Sequence, residues 1–452
     1  MKSRLDHLGD SAAGKPSGPI RSGGVTRQPV QVQASSQPLP FVIDPTGADR
    51  HAEYRALRAR GPATPVDILG LRAWAVSDPA VLKTLLTSPD VSKDGRAHYP
   101  DFQRTTSTWP LALWIEVQSM LTAYGADHRR LRRMVAPAFG ARRIAKLKPV
   151  IESMVGGLVD DLAAVPGGQV VDLRERLAFP LPIAVIGHLM GVPEDQRDGF
   201  RQIVDRVFDS TLTPEQAQAN VVRLYERIDQ LIATKRDNPG DDMTSFLIAA
   251  RDEESDGTGF TDQELRDTLV LMINAGYETT VNVIDQAVFA MLTSPEQLHL
   301  VRTGQATWDD VVEETLRLEP AIKYLPMRFA VTDVELPDGQ VISAGDPILA
   351  AYGAANRHPD WHGPDADTFD VTRRAKDHLA FGYGVHFCLG APLARLEVAE
   401  VLRRLFERFP DMSLAVPAAA LRPIPTLISN GHQELPVYLR EPGPASRSPR
   451  EP

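Results

Sequence analysis

Cysteine is nearly missing from this chain: its 452 residues include one, Cys388. An internal disulfide is therefore impossible, and the composition suits a reducing compartment. Long apolar runs are missing too. No stretch reaches eighteen such residues, and no cationic start leads into an apolar segment. We expect neither a signal peptide nor a membrane anchor, and hence a soluble, cytoplasmic protein. Positive charge falls short of negative, 49 Lys and Arg against 59 Asp and Glu, which argues against nucleic acid as a partner. No GxGxxG follows a strand-like run and no second cysteine exists, so the chain should carry no flavin or iron–sulfur module of its own. Residues 1–38 lack the apolar content that offsets ordering entropy and read as a disordered tail, and 442–452 read as frayed.

Between those ends the chain has ample material for a large core, with 43% hydrophobic residues, and length alone would allow two or three domains. Order is expected from about Phe41. A helix over roughly 49–60 precedes two strand-like runs, TPVDIL and RAWAVSD, so a small β region lies near the start. Residues 88–120 form a long, weakly periodic connection with an apolar patch, of the kind that is functional or mobile. In ADHRRLRRMVAPAF the spacing of Leu131, Val135 and Phe139 is helical, which puts His128 and Arg132 on one face. Taken alone, such a helix is a solvated basic face, and Arg129, Arg130, Arg133, Arg142, Arg143, Lys146 and Lys148 are expected to point outward. Helical runs with short breaks continue to residue 254.

Thr261 and Glu264 make a capping box for the longest helix, which runs to about Ser294. Its apolar residues lie nearly all round, as in a helix that crosses a core. Within it, NAGYETT breaks the pattern: Gly276 costs about 1 kcal/mol against alanine, and Glu278, Thr279 and Thr280 bring an acid and hydroxyls into buried surroundings. Either the hydroxyls bond back to the preceding turn and the acid reaches the surface, or the helix opens locally to admit water and a hydroxyl. A second cap, Thr307 with Asp310, starts a helix containing Glu314 and Arg317. The same ExxR spacing recurs at Glu194–Arg197 and Glu400–Arg403, so only its place in the chain distinguishes it. After alternating runs with turns at Pro337-Asp338-Gly339 and Ala344-Gly345, the end of the chain reads as a hairpin turning at Asn430-Gly431.

The lone cysteine lies in HLAFGYGVHFCLGAPLARLE, residues 378–397. Glycines before and after it let backbone approach a flat ligand, and Pro392 suits the first turn of a helix. Cys388 should thus feed a helix N-terminus, where amide N–H groups and the dipole favour a thiolate. Most lone cysteines are small buried hydrophobes. The surrounding FGxGxHxCxG pattern, with every position filled, is much more specific than that background.

This pattern resembles the haem-thiolate signature of the cytochrome P-450 family, and the resemblance to its soluble bacterial members extends over about residues 40–440. It implies one mainly α domain with a minor β region, spanning 39–441, shaped roughly as a triangular prism with a long helix over the haem. It implies haem b (iron protoporphyrin IX), with Cys388 as the axial iron ligand and Phe381, Gly382 and Gly390 in its loop. The HxxxR motif assigns His128 and Arg132 to the haem propionates, and Arg328 and His386 fall at further propionate positions. Ala275 and Thr279 would lie against the haem, and Glu278 with Thr279 would deliver protons. Glu314 and Arg317, joined by Arg373, would be a buried structural triad.

The implied reaction is monooxygenation: O₂ and a bulky hydrophobic small molecule as substrates, with electrons from a separate ferredoxin and NAD(P)H-dependent reductase. Relatives whose hairpin reads NGHxELPV act on macrolactone-type polyketides or steroid-like molecules. A monomer is expected, with 88–120, 206–216 (including a mobile lid at Phe208–Pro214), the stretch after Arg317 with Lys323 and Tyr324, and 424–432 around the substrate. Lys323, in that stretch, is expected to point to solvent. Two other readings stand beside this one: a haem-thiolate oxidase that couples rings or bonds on a peptide or other precursor, and a non-catalytic haem sensor.

Overall fold

A computed structural model describes residues 40–252 and 257–440; the tails expected at 1–38 and 442–452 lie outside the described residues. The architecture is mainly helical with small sheets, as expected. Strands Ala63–Ile68 and Leu71–Val76 pair antiparallel from Ala63 opposite Val76 to Ile68 opposite Leu71. They sit inside a six-stranded sheet in the order 41–42, 63–68, 71–76, 347–350, 325–330, 91–92. The alternation of buried and exposed residues along both strands matches one face on the core.

The helix Asp262–Thr293 organises the remainder. Its 32 residues span about 48 Å at the usual rise. Its N-terminus is closed on both sides: the Glu264 amide donates to Thr261 Oγ1 at 3.1 Å, and the Thr261 amide donates to Glu264 Oε2 at 2.9 Å. The helices Pro180–Met190, Pro214–Asp237, Trp308–Leu318 and Ala391–Arg408 all pack against it. The glycine in its middle has a packing reason. A Cβ on Gly276 would come within 2.8 Å of Ile186 Cδ1, so the residue with poor helix propensity is what lets the 180–190 helix approach.

Several sequence expectations need correction. Residues 88–120 are not irregular throughout: short helices Gly95–His98, Phe102–Thr108 and Leu113–Glu116 break them up. Lys323 does not reach solvent. It is 1% exposed, and its Nζ donates to the Thr426 carbonyl at 2.7 Å, with burial lowering its pKa to about 7. Among the basic residues after His128, Arg130 pairs with Glu264, and Arg133 pairs with Asp252 at 3.0 Å, so neither is simply solvated. Strand Pro436–Tyr438 does pair, but with 170–172 and 413–414, while the 423–432 segment forms only isolated bridges.

Candidate active site

Glu314 and Arg317 face each other across one helical turn with no solvent exposure, joined by bonds of 2.7 and 2.8 Å. Arg317 also donates to the carbonyls of Ala366 and Thr368, and Arg373 Nε reaches Glu314 Oε1 at 3.4 Å. This knot ties the 308–318 helix to the stretch leading into the cysteine loop. The other described ExxR pair of known contact, Glu400 with Arg403, is a half-exposed contact within one helix.

The cysteine loop follows from its glycines. Gly382 and Gly384 both sit at φ +72, and a Cβ on Gly384 would meet the Leu86 carbonyl at 2.8 Å. The Cys388 amide donates to the Phe381 carbonyl at 2.9 Å, which closes the loop just ahead of the 391–408 helix. The sulfur is surrounded by protein except where it faces a cavity, and there it is accessible. The amides of Gly390 and Ala391 point at it, as the motif predicted. Burial nevertheless outweighs them and raises the thiol above its ordinary range in the protein alone, contrary to the lowered value expected from the helix N-terminus.

That cavity has an interior volume of about 270 Å³. Cys388, Phe381, Gly382, Leu389 and Gly390 line one wall, and Ala275, Gly276, Thr279 and Thr280 of the central helix line another. Leu113, Trp114, Val117, Val207 and Phe208 roof it, with the Trp114 and Phe208 rings meeting edge to face at 5.2 Å. Ala321, Ile322 and Leu325 complete this side. The 424–432 segment, expected at the substrate, lines none of it. Gly431 instead lies against Asn282, Arg174 and Asp285, beyond the cavity along the central helix.

One edge of the cavity is cationic and unpaired. Arg132, Arg328, His386 and Lys93 all line it. Arg132 donates to the Phe387 carbonyl at 2.7 Å, and the His128 ring lies tilted with its centre 4.2 Å from that of His386. Arg328 Nη1 and His128 Nε2 are buried without a hydrogen-bond partner among the described residues. Burial, then Arg132 and Arg129, lowers His128 to about 4; burial, then Arg328 and its neighbours, pulls His386 well below the imidazole range. Lys93 is likewise lowered by burial and Arg328. Sequence reasoning missed Lys93, because nothing in SPDVSKDGR marks its burial at 2% exposure. Burying like charges without an anion is costly, so these side chains are arranged for acidic groups the protein does not supply. The paired carboxylates of a haem fit that demand, and the glycine-lined cysteine loop fits its plane.

The central helix departs from expectation in one respect. It does not open at NAGYETT: the helix is continuous, and Thr279 Oγ1 donates to the Ala275 carbonyl at 2.6 Å. Glu278 is not at the surface either. It is 5% exposed and is not among the cavity-lining residues, with Oε1 accepting from Asn282 Nδ2 at 2.9 Å. Desolvation raises its pKa to about 7, against the lowering influence of Arg174.

A mainly helical fold whose single cysteine faces a cation-edged apolar cavity defines the class as the haem-iron oxygenases. Residues 215–304 and 307–414 match the family model described as Cytochrome P450. The chain is 40% identical over 404 residues to 2-hydroxy-5-methyl-1-naphthoate 7-hydroxylase of Streptomyces carzinostaticus, covering 89% of this chain and 98% of that one. It is 38% identical to the cytochrome P450 monooxygenase PikC of Streptomyces venezuelae, over 94% of this chain and 98% of the relative. Among solved structures, CYP154A1 of Streptomyces coelicolor A3(2) superposes with a TM-score of 0.85 at 67% identity, over 88% of this chain and all of that one. The chain belongs to the cytochrome P450 family and is a P450 monooxygenase, a haem-iron oxidoreductase. No described helix is long and apolar enough to cross a membrane.

Proposed function

We propose that this enzyme inserts one atom of O₂ into a C–H bond of a bulky, uncharged small molecule of macrolide, polyketide or steroid/terpenoid type. The observation that carries this is the cavity itself, with the cysteine on one wall and Thr279 on another. Away from the cationic edge, its lining is mostly Leu, Val, Ile, Met, Phe, Trp, Ala and Gly, relieved by Asn274, Thr279, Thr280, Tyr352 and Glu397. A charged substrate would lose its hydration there without gaining a partner.

The group this site would hold is haem b, which would supply oxygen activation once electrons reach it. Cys388 would hold the iron; Arg132, Arg328, His386 and His128 would hold the propionates; Phe381, Gly382, Gly390 and Ala275 would shape the slot. Thr279 offers a hydroxyl inside the cavity. Glu278 changes protonation near neutrality and so can take up and release protons under working conditions. In this reading the protein works in the cytoplasm as a monomer and receives electrons from a ferredoxin and its NAD(P)H reductase.

Turnover under ¹⁸O₂ with macrolide, polyketide and steroid candidates tests this. We expect one labelled oxygen in the product, and an unlabelled, coupled product would overturn the insertion.

A further inference from the structure

The buried acid of the central helix, Glu278, has a cation that its motif does not announce. Arg174 begins the π-helical turn Arg174–Ala178, directly after the strand Val170–Asp172, and is 2% exposed. Its backbone is fixed by Asp172, whose Oδ1 accepts from the amides of Arg174 at 3.0 Å and Leu435 at 2.9 Å. Its guanidinium lies 4.7 Å from the centre of the Phe179 ring. From there it faces two acids of one helix, set two turns apart: Nη2 lies 3.9 Å from Glu278 Oε1, and Nη1 lies 3.3 Å from Asp285 Oδ2. A single buried cation is thus divided between two buried carboxylates.

The 430–432 turn holds that division in place. The His432 amide donates to Asp285 Oδ2 at 2.7 Å, and His432 Nδ1 lies 3.1 Å from the same oxygen. Gly431 fits over the cluster only because it has no side chain. A Cβ there would lie 2.3 Å from Asn282 Oδ1, 2.9 Å from Arg174 Nη1 and 3.0 Å from Asp285 Oδ2. The hairpin tip that the sequence directs to the substrate is therefore a clamp on this ion cluster.

We propose that Arg174 is a positioning residue for Glu278, holding its carboxyl within this buried ion cluster and governing its ionisation in competition with Asp285. The proposal rests on the reading of Glu278 as the proton-handling acid. Other charged and titratable groups face the same region. Asp205 and Arg201 come from the 197–205 helix, with Arg201 engaged by Glu175; Tyr277 lies on the central helix and His432 on the hairpin.

The competition gives two variants with opposite signs. Removing the cation leaves Glu278 with its burial and with negative neighbours, which favours the protonated acid. Neutralising Asp285 leaves Arg174 to Glu278 alone, which favours the carboxylate. The test is an infrared titration of the full-length haem-loaded protein. It follows the C=O stretch of a protonated carboxylic acid against pH, with the Glu278 band assigned by its loss in Glu278→Gln.

We expect Arg174→Gln to move the midpoint upward by about one unit or more, a tenfold change in the ionisation ratio. Asp285→Asn should move it downward. Shifts of the same sign in both variants, or no shift in either, overturn the proposal. If Arg174→Gln does not fold, Asp285→Asn alone decides, since an unmoved or raised midpoint refutes it. The titration needs no turnover, so a failure of the oxygen-insertion reading shows instead as an enzyme whose midpoints shift as expected but whose product carries no label.

Discussion

Two sets of buried cations in this molecule make opposite bargains with the solvent they have left. Arg317 and Arg373 surround Glu314 and spend their remaining donors on carbonyls. Arg328, Arg132, Lys93 and the histidines 128 and 386 gather at the cavity edge with no carboxylate partner among the described residues, and burial first, then the neighbouring cations, lowers Lys93, His128 and His386. The first set is complete within the chain and serves the fold. The second is complete only with an anionic guest, and that incompleteness is what marks a binding site.

The comparison breaks most visibly if Arg317→Ala is tolerated. That change leaves Glu314, at zero exposure, with only the longer Arg373 contact and one backbone amide, and should cost about 3–5 kcal/mol in urea unfolding. Next in size is the buried acid Glu278. The folded protein holds the Glu278 proton to about pH 7, whereas an unfolded chain releases it near 4.5. The stability this proton confers is complete below pH 4.5 and is lost as pH rises toward 7. Glu278→Gln should therefore match the native protein at pH 4 and exceed it by about 3 kcal/mol at pH 8, read from unfolding curves at both.

Arg328→Ala then sharpens the contrast directly. Unfolding of the haem-free protein should be unchanged or slightly harder, because an unpaired buried charge is gone. Haem affinity should meanwhile fall by about 10- to 100-fold in competition with apomyoglobin, the loss of one charge-assisted contact worth about 1.5–3 kcal/mol. The smallest effect is the control. Arg403→Ala removes an ExxR arginine that is 40% exposed, and it should cost under about 1 kcal/mol.

What could be read from the residues followed from local rules. The two capping boxes, the length of the central helix and the shared face of His128 and Arg132 need only short-range geometry, and the cysteine loop needs only its glycines. Long-range facts were out of reach. That Lys93 completes the cationic edge, that Lys323 is buried against Thr426 and that Arg174 serves Glu278 across 104 positions all depend on how distant elements pack. NAGYETT misled in another way. Its glycine signals helix opening, yet here it makes room for Ile186, and the threonine hydroxyl closes on the preceding turn. The Asn430-Gly431 turn was placed at the cavity because its reach was legible but its direction was not.

The central claim is that Cys388 and the unpaired cations together hold a haem through its iron and its carboxylates. The carbon monoxide difference spectrum of the reduced protein tests it most directly. We predict the strongly red-shifted Soret band of thiolate-ligated haem in the native protein and its loss in Cys388→Ala with the helical circular dichroism unchanged. A folded native protein without that band, or a Cys388→Ala variant that keeps it, would contradict the account.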